Sequence, residues 1–204
     1  QYTQFQRAMT SGVRIFGLLD TPLEVHDRED AIELPPVKGS ISLQNIRFHY
    51  VEGIEVLRGI SLDIQAGQTV ALVGQTGAGK TTLVALLNRF YDVTDGRITI
   101  DGNDLRDVTQ DSLARQTAMV LQEPFLFSGT IRENIAYSKI DATHNSVVAA
   151  AKTVGAHEFI ESMPAGYDTQ LKERGQNLSV GQRQLLSFAR ALIADPAILI
   201  LDEA

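Results

Sequence analysis

The chain has 204 residues, 44% of them hydrophobic and 21% charged, with a net charge of −7 and no cysteine. That length holds one sizeable core or a domain with an appendage, and the missing thiols exclude disulfides and thiolate metal sites. The acidic balance argues against nucleic acid as the main partner. No apolar run approaches the roughly eighteen residues of a membrane helix, and no secretory signal is legible at the start.

In chain order, Phe5, Met9, Val13 and Phe16 fall at helical spacing with Ala8, Ile15 and Leu19 beside them. This predicts a helix over 1–20 with one face for another helix. It reads as the tail of a preceding domain rather than an arm on its own. Residues 21–40 are acidic, carry Pro22, Pro35 and Pro36, and read as a linker. From 41 onward the chain reads as one domain. Residues 41–50 and 60–64 alternate apolar and polar side chains, as half-buried antiparallel strands do. Ala66-Gly67-Gln68 turns into 69–73, an apolar run expected to be a buried strand, and 81–87 reads as a helix. Asp95-Gly96 and Asp101-Gly102 bracket a strand at 97–100, and 117–121 is another strand-length run.

Thr130 is placed to cap a helix over 131–137, and Thr143 one that runs through Val147, Val148, Ala151 and Val154 to Gly155. A short helix at 156–162 and a long one at 180–194 follow, the latter ended by Asp195-Pro196. Residues 197–201 close as a buried strand. The outline is an α/β fold: a mixed sheet core interrupted, between about 123 and 195, by a mostly helical insertion.

Three constellations carry chemistry. Gly74-Gln75-Thr76-Gly77-Ala78-Gly79-Lys80-Thr81, followed by Thr82, matches G-x-x-x-x-G-K-[ST] between a predicted strand and a predicted helix. Glycines let backbone N–H groups turn inward around phosphates, Lys80 supplies a point charge, and the Thr81 hydroxyl is placed to ligate Mg²⁺. The helix that follows points its positive dipole end at the same phosphates. At the chain's end, an apolar strand delivers Asp202 and Glu203 to a sheet's C-terminal edge, where open α/β sheets place ligands. Asp202 would hold Mg²⁺, and Glu203 would orient the attacking water. Leu178-Ser179-Val180-Gly181-Gln182 opens a helix. Its Ser179-x-x-Gln182 spacing is that of a capping box, and the same helix start is an anion receptor.

Together these motifs resemble the nucleotide-binding domain of the ATP-binding cassette (ABC) transporters, in the family's order and over about residues 40–204. Gly74 to Thr82 resemble the Walker A loop, Gln122 the Q-loop glutamine, Leu178 to Gln182 the signature, and 198–203 the Walker B strand with its catalytic glutamate. Tyr50 matches the aromatic that stacks on adenine, with Val56 beside it. The resemblance implies a P-loop ATPase core, a mixed sheet with an antiparallel β subdomain plus a helical subdomain. It implies ATP and Mg²⁺ as cofactors, Lys80, Gln122 and Glu203 as catalytic residues, and Thr81, Gln122 and Asp202 around the metal.

Residues 123–135, and Glu173-Arg174-Gly175 before the signature, are similar to exporters that fuse membrane and nucleotide domains in one chain. The implied partners are a transmembrane domain and a second nucleotide-binding domain, on the cytoplasmic face of the cell membrane. The implied activity is ATP hydrolysis that powers export. The other readings are a non-hydrolysing half of an asymmetric pair and an ATP-gated DNA clamp. Against the clamp, 122–178 is short and lacks sustained heptads. Two positions depart from the family pattern: Val180 stands where glycine is commonest, and Lys172 where a small residue is usual. No histidine follows Glu203, so the family's aspartate loop and switch histidine are expected beyond Ala204. The stretch alone is expected to hydrolyse ATP weakly or not at all. His26, His49, His144 and His157 are read as incidental.

Overall fold

The computed structural model describes residues 2–22 and 24–202. Helix α1, Tyr2–Leu19, forms as the spacing predicts, and Met9, Val13, Ile15, Phe16, Leu18 and Leu19 along it are exposed. The side chains of Phe5 and Ala8, which helped define its apolar face, lie outside the described residues. No helix among the described residues is long and apolar enough to cross a membrane.

Strands β1 (Ile41–Val51) and β2 (Ile54–Ile64) form a long antiparallel hairpin, with Ile41 opposite Ile64 and Val51 opposite Ile54. Strand β2 begins six residues before the predicted 60–64, because the pairing runs on down to the turn at Glu52-Gly53. Strand β3, Asp95–Ile100, pairs with the other edge of β1, and β4, Asn103–Asp104, with β3. The β3–β4 turn is Asp101-Gly102, both in the left-handed region at φ 46° and 84°. That turn suits the twist of paired strands. The sheet order is β2-β1-β3-β4. Leu43, Ile46, Phe48, Leu57, Ile98 and Ile100 of this sheet are buried in one core with Leu83, Leu86 and Leu87 of helix α2, Lys80–Leu87.

Helix α3, Gln110–Gln116, capped by Thr109, leads into β5, Thr117–Val120, which pairs in parallel with β8, Ile198–Leu201. Sequence patterning did not mark α3. Its cap bond, Ser112 N–H to Thr109 Oγ1, holds a short helix that has few apolar positions. Only Ile198 of β8 is fully buried, and Leu199 and Leu201 are exposed, against the expectation of a strand covered on both faces.

The larger departure is 69–73. It is not a strand, and all five residues are exposed, Val73 at 93%. An apolar run becomes a strand only where a neighbour accepts its backbone hydrogen bonds and covers its faces. Among the described residues no strand pairs with it, and the parallel sheet consists of β5 and β8 alone.

The helical part has its own core. Helices α4 (Ile131–Ala136), α5 (His144–Thr153), α6 (His157–Glu161) and α7 (Val180–Leu192) bury Leu126, Ile131, Ile135, Val147, Ile160 and Leu186 together. The caps arise as predicted. Thr130 closes a capping box with Glu133, Thr143 accepts from Ser146 N–H, and Ser179 closes a capping box with Gln182. A two-stranded antiparallel pair of β6, Gly129–Thr130, with β7, Gln170–Leu171, completes the layer.

Residues 32–40 lie on the core. Ile32 bridges Val108, and Leu34 is buried with its N–H donating to Ser112 Oγ at 2.9 Å. The Gln116 amide binds Leu34 O, Pro35 O and Val37 N–H. The Asp101 carboxylate accepts from Lys38 and Gly39 N–H and from Ser40 N–H and Oγ. Burial pushes that carboxyl up, yet the Ser40 hydroxyl and the three N–H groups outweigh it and hold it below its ordinary value. A depressed folded-state pKa means stabilisation that is complete above the unfolded value, about 3.9, and lost as pH falls through the folded one. Asp101→Asn is therefore expected to lower the melting temperature near neutral pH and to flatten the loss of stability below about pH 4. Thermal melts across that range test it, and an unchanged acid limb would remove Asp101 as the clasp.

Candidate nucleotide site

The loop from Gly74 to Gly79 is open, and Gly79 at its end has φ 89°, the left-handed N-cap of α2. A Cβ on Gly79 would sit 2.6 Å from Leu57 Cδ2 and 3.6 Å from Val56 Cγ1. Both the backbone angle and the close floor of β2 therefore demand glycine. The same contact sets Val56 against the end of the loop. The Lys80 ammonium donates to Gly74 O at 2.8 Å and to Gln75 O at 3.0 Å, bracing the loop across its mouth. Thr81, one residue on, is exposed beside it.

Tyr50 stands at the end of β1, half exposed, and its hydroxyl bonds Thr82 Oγ1 at 3.1 Å. Phe48 and Tyr91 meet its ring edge-on at 4.8 and 5.1 Å, which orients it while leaving it open to solvent. Tyr50, Val56 and the whole loop are thus brought together. Asp202 follows β8, and its N–H donates to Val120 O at 2.9 Å, so the end of β8 lies against the end of β5 two residues before Gln122. Helix α2 shares its core with Ile198 of β8. Glu203 lies outside the described residues.

The structure does not bring the signature to this loop. Leu178 is buried in the helical core, whereas Ser179, Val180 and Gly181 are exposed at the start of α7. A Cβ on Gly181 would meet nothing within 4 Å, so the fold itself makes no demand for glycine there. Val180 is 62% exposed, and its side chain does not disturb the cap, in which Gln182 N–H donates to Ser179 Oγ at 3.2 Å.

Two arginines escaped the sequence reading. Arg190 of α7 donates to Phe125 O, Asn134 O and Asn134 Oδ1 and lies over the rings of Phe127 and Tyr137. Burial lowers its pKa from the ordinary value, and the buried Asn134 amide ties the same loop through Phe127. Its place on α7 and apolar Leu186 four residues back were the only local hints. Arg89 is buried behind α2, and nothing in its neighbourhood of the sequence marks it. A groove of about 690 Å³ opens between α3 and β5 on one side and α7 on the other, floored by Phe125, Phe127, Tyr137 and Arg190. It is lined by residues just after Gln122 and lies apart from the phosphate loop. His157 Nδ1 bonds the Tyr167 hydroxyl at 2.9 Å and His144 meets that ring edge-on, contacts internal to the helical part.

A glycine loop that feeds a helix, an antiparallel sheet beside it and a separate helical layer define a P-loop nucleotide-binding domain of the α/β class. The model of the ABC transporter family matches residues 57–204, and the chain belongs to that family. An ABC transporter ATP-binding protein of Bacillus subtilis (strain 168), YfiC, is 48% identical over 204 residues, all of this chain and 34% of the relative. A fatty acid ABC transporter ATP-binding/permease protein of Mycobacterium bovis is 45% identical over 203 residues, 100% of this chain and 32% of that protein. The solved structure of a bacterial Atm1-family ABC exporter with ATP bound matches at TM-score 0.90 and 42% identity, over 99% of this chain and 35% of that one. The chain spans about a third of the length of the relatives it matches. The fold is that of an ABC ATPase, as the motifs implied.

Proposed function

We propose that this chain is the ATP-hydrolysing domain of an exporter, working as one of a pair on the cytoplasmic face of a membrane. Residues 1–20 would be the end of the last membrane helix, 21–40 the connection, and 41–204 the nucleotide domain with its helical subdomain at about 123–195. ATP would lie with its phosphates along Gly74 to Thr82 and its base on Tyr50. The observation that carries the pairing is the start of α7. Its capped, exposed N-terminus sits on the helical core, away from the loop, whose helix α2 shares the other core. An anion receptor so placed has work only on the phosphate of a second copy, in a two-fold pair where each loop meets the other's Ser179.

The residues fit a magnesium ion. Thr81 offers a hydroxyl, Gln122 an amide oxygen and Asp202 one carboxylate, and the described residues hold no cluster of three His, Cys, Asp or Glu. Mg²⁺ is commonly held by one or two carboxylates together with water and substrate phosphates, rather than in an all-protein cage. When bound, it would neutralise charge on the β- and γ-phosphates. Lys80 would leave its loop carbonyls for the terminal phosphates, and Glu203 would orient the attacking water. The groove beside Gln122 would seat the transmembrane partner, so that the loop at 122–127 is shared by both events. Between 123 and 178 the longest described helix, α5, has 10 residues, which leaves no room for the long paired arms of a DNA clamp.

Gly181→Asp tests the pairing. An aspartate in the first turn of α7 meets open space and suits the helix dipole, so folding is expected to be unharmed. A carboxylate facing a partner's phosphate is expected to lower turnover about 100-fold or more, with ATP affinity of the single protomer kept. Turnover near wild type in that variant would end the two-copy reading.

A further inference from the structure

Arg89 is the largest fully buried side chain of the described residues, 1% exposed, and it stands just past the end of α2 with φ 52°. The contacts of its guanidinium join three segments, residues 26–27, Asp92 and residues 106–108. Nε donates to Asp92 Oδ1 at 3.3 Å, which fixes the turn after the helix. One terminal nitrogen donates to Val108 O and to Asp27 Oδ1, the latter at 3.4 Å. The other donates to His26 O at 3.2 Å and Arg106 O at 3.5 Å. Asp27 is itself held from a second side, by Gln110 N–H at 3.0 Å and the Gln110 amide at 3.4 Å. Residues 26 and 27 come seven and eight residues after Leu19, the last residue of α1.

Helix α2 is eight residues, a rigid rod about 12 Å long. Lys80 and the loop occupy one end, and Arg89 the other. If the guanidinium shifted alone, it would strand carbonyls on two segments and a carboxylate on a third, so those segments move with it. We propose that Arg89 is a positioning residue that couples the phosphate end of α2 to residues 24–34. Ligand on the loop is then felt by the stretch that leads from α1. This rests on the nucleotide reading given above.

Hydrogen exchange on the full-length protein, with and without Mg-ATPγS, tests it. Loop peptides covering 74–82 report nucleotide, and peptides covering 24–34 report coupling. In the wild type both are expected to slow, the second by about five-fold or more. Asp27 is partly exposed, so Asp27→Ala is expected to fold. It should keep the loop response and reduce the 24–34 response to about two-fold or less. Arg89→Gln should do the same wherever it folds. An unresponsive 24–34 beside a responsive loop overturns the coupling, as does a full response in Asp27→Ala. An unresponsive loop overturns the nucleotide reading, and the coupling with it.

Discussion

Glu203→Gln in the full-length protein is expected to lower steady-state phosphate release by about a thousand-fold, while ATP affinity stays within about two-fold of wild type. The substitution keeps size and hydrogen-bonding reach but removes the charge that would polarise a water. Glu203 follows Asp202, whose N–H is pinned to the end of β5. Successive residues leaving a strand diverge, so one acid can serve the metal while the other faces the nucleophile. ATP trapped in a closed pair without turnover is the expected state of this variant. Phosphate release at the wild-type rate would remove Glu203 from the chemistry and move the search to Gln122.

Lys80→Ala acts one step earlier. Its ammonium is braced on Gly74 O and Gln75 O, so it is already held at the mouth of the loop by acceptors that a triphosphate can replace. A charge-assisted bond of this kind contributes about 1.5–3 kcal/mol, so affinity for ATP is expected to fall about 10–100-fold, and turnover further. The freed carbonyls lie on an exposed loop where water takes them up, so the melting temperature without nucleotide should hardly move. Titration calorimetry reads the first effect and thermal melts the second. Unchanged affinity with lost turnover would make Lys80 a purely transition-state residue.

What could be read in advance, and what could not, divides along sequence distance. Ser179 with Gln182, Thr130 with Glu133 and Thr143 with Ser146 are bonds across three residues, so the residue types predict them directly. Gly79 and the Asp101-Gly102 turn belong with them, since a left-handed backbone angle is a property of the residue that adopts it. The phosphate loop, the signature and the family followed from such local patterns. Residues 69–73 did not, because an apolar run shows only that it can be a strand, and pairing partners decide whether it is one.

Arg89 meets Asp27 across 62 residues, Leu34 meets Ser112 across 78, and Arg190 reaches Asn134 across 56. No spacing rule spans such gaps. By itself the sequence determined which residues make the glycine loop and which can cap a helix. The tertiary structure alone decided that loop and signature sit on separate cores, and that a buried guanidinium straps residues 26–27 to the base of α2. Burial drives both, and it depends on every segment that closes around a group, whereas a turn or cap needs only its own few residues.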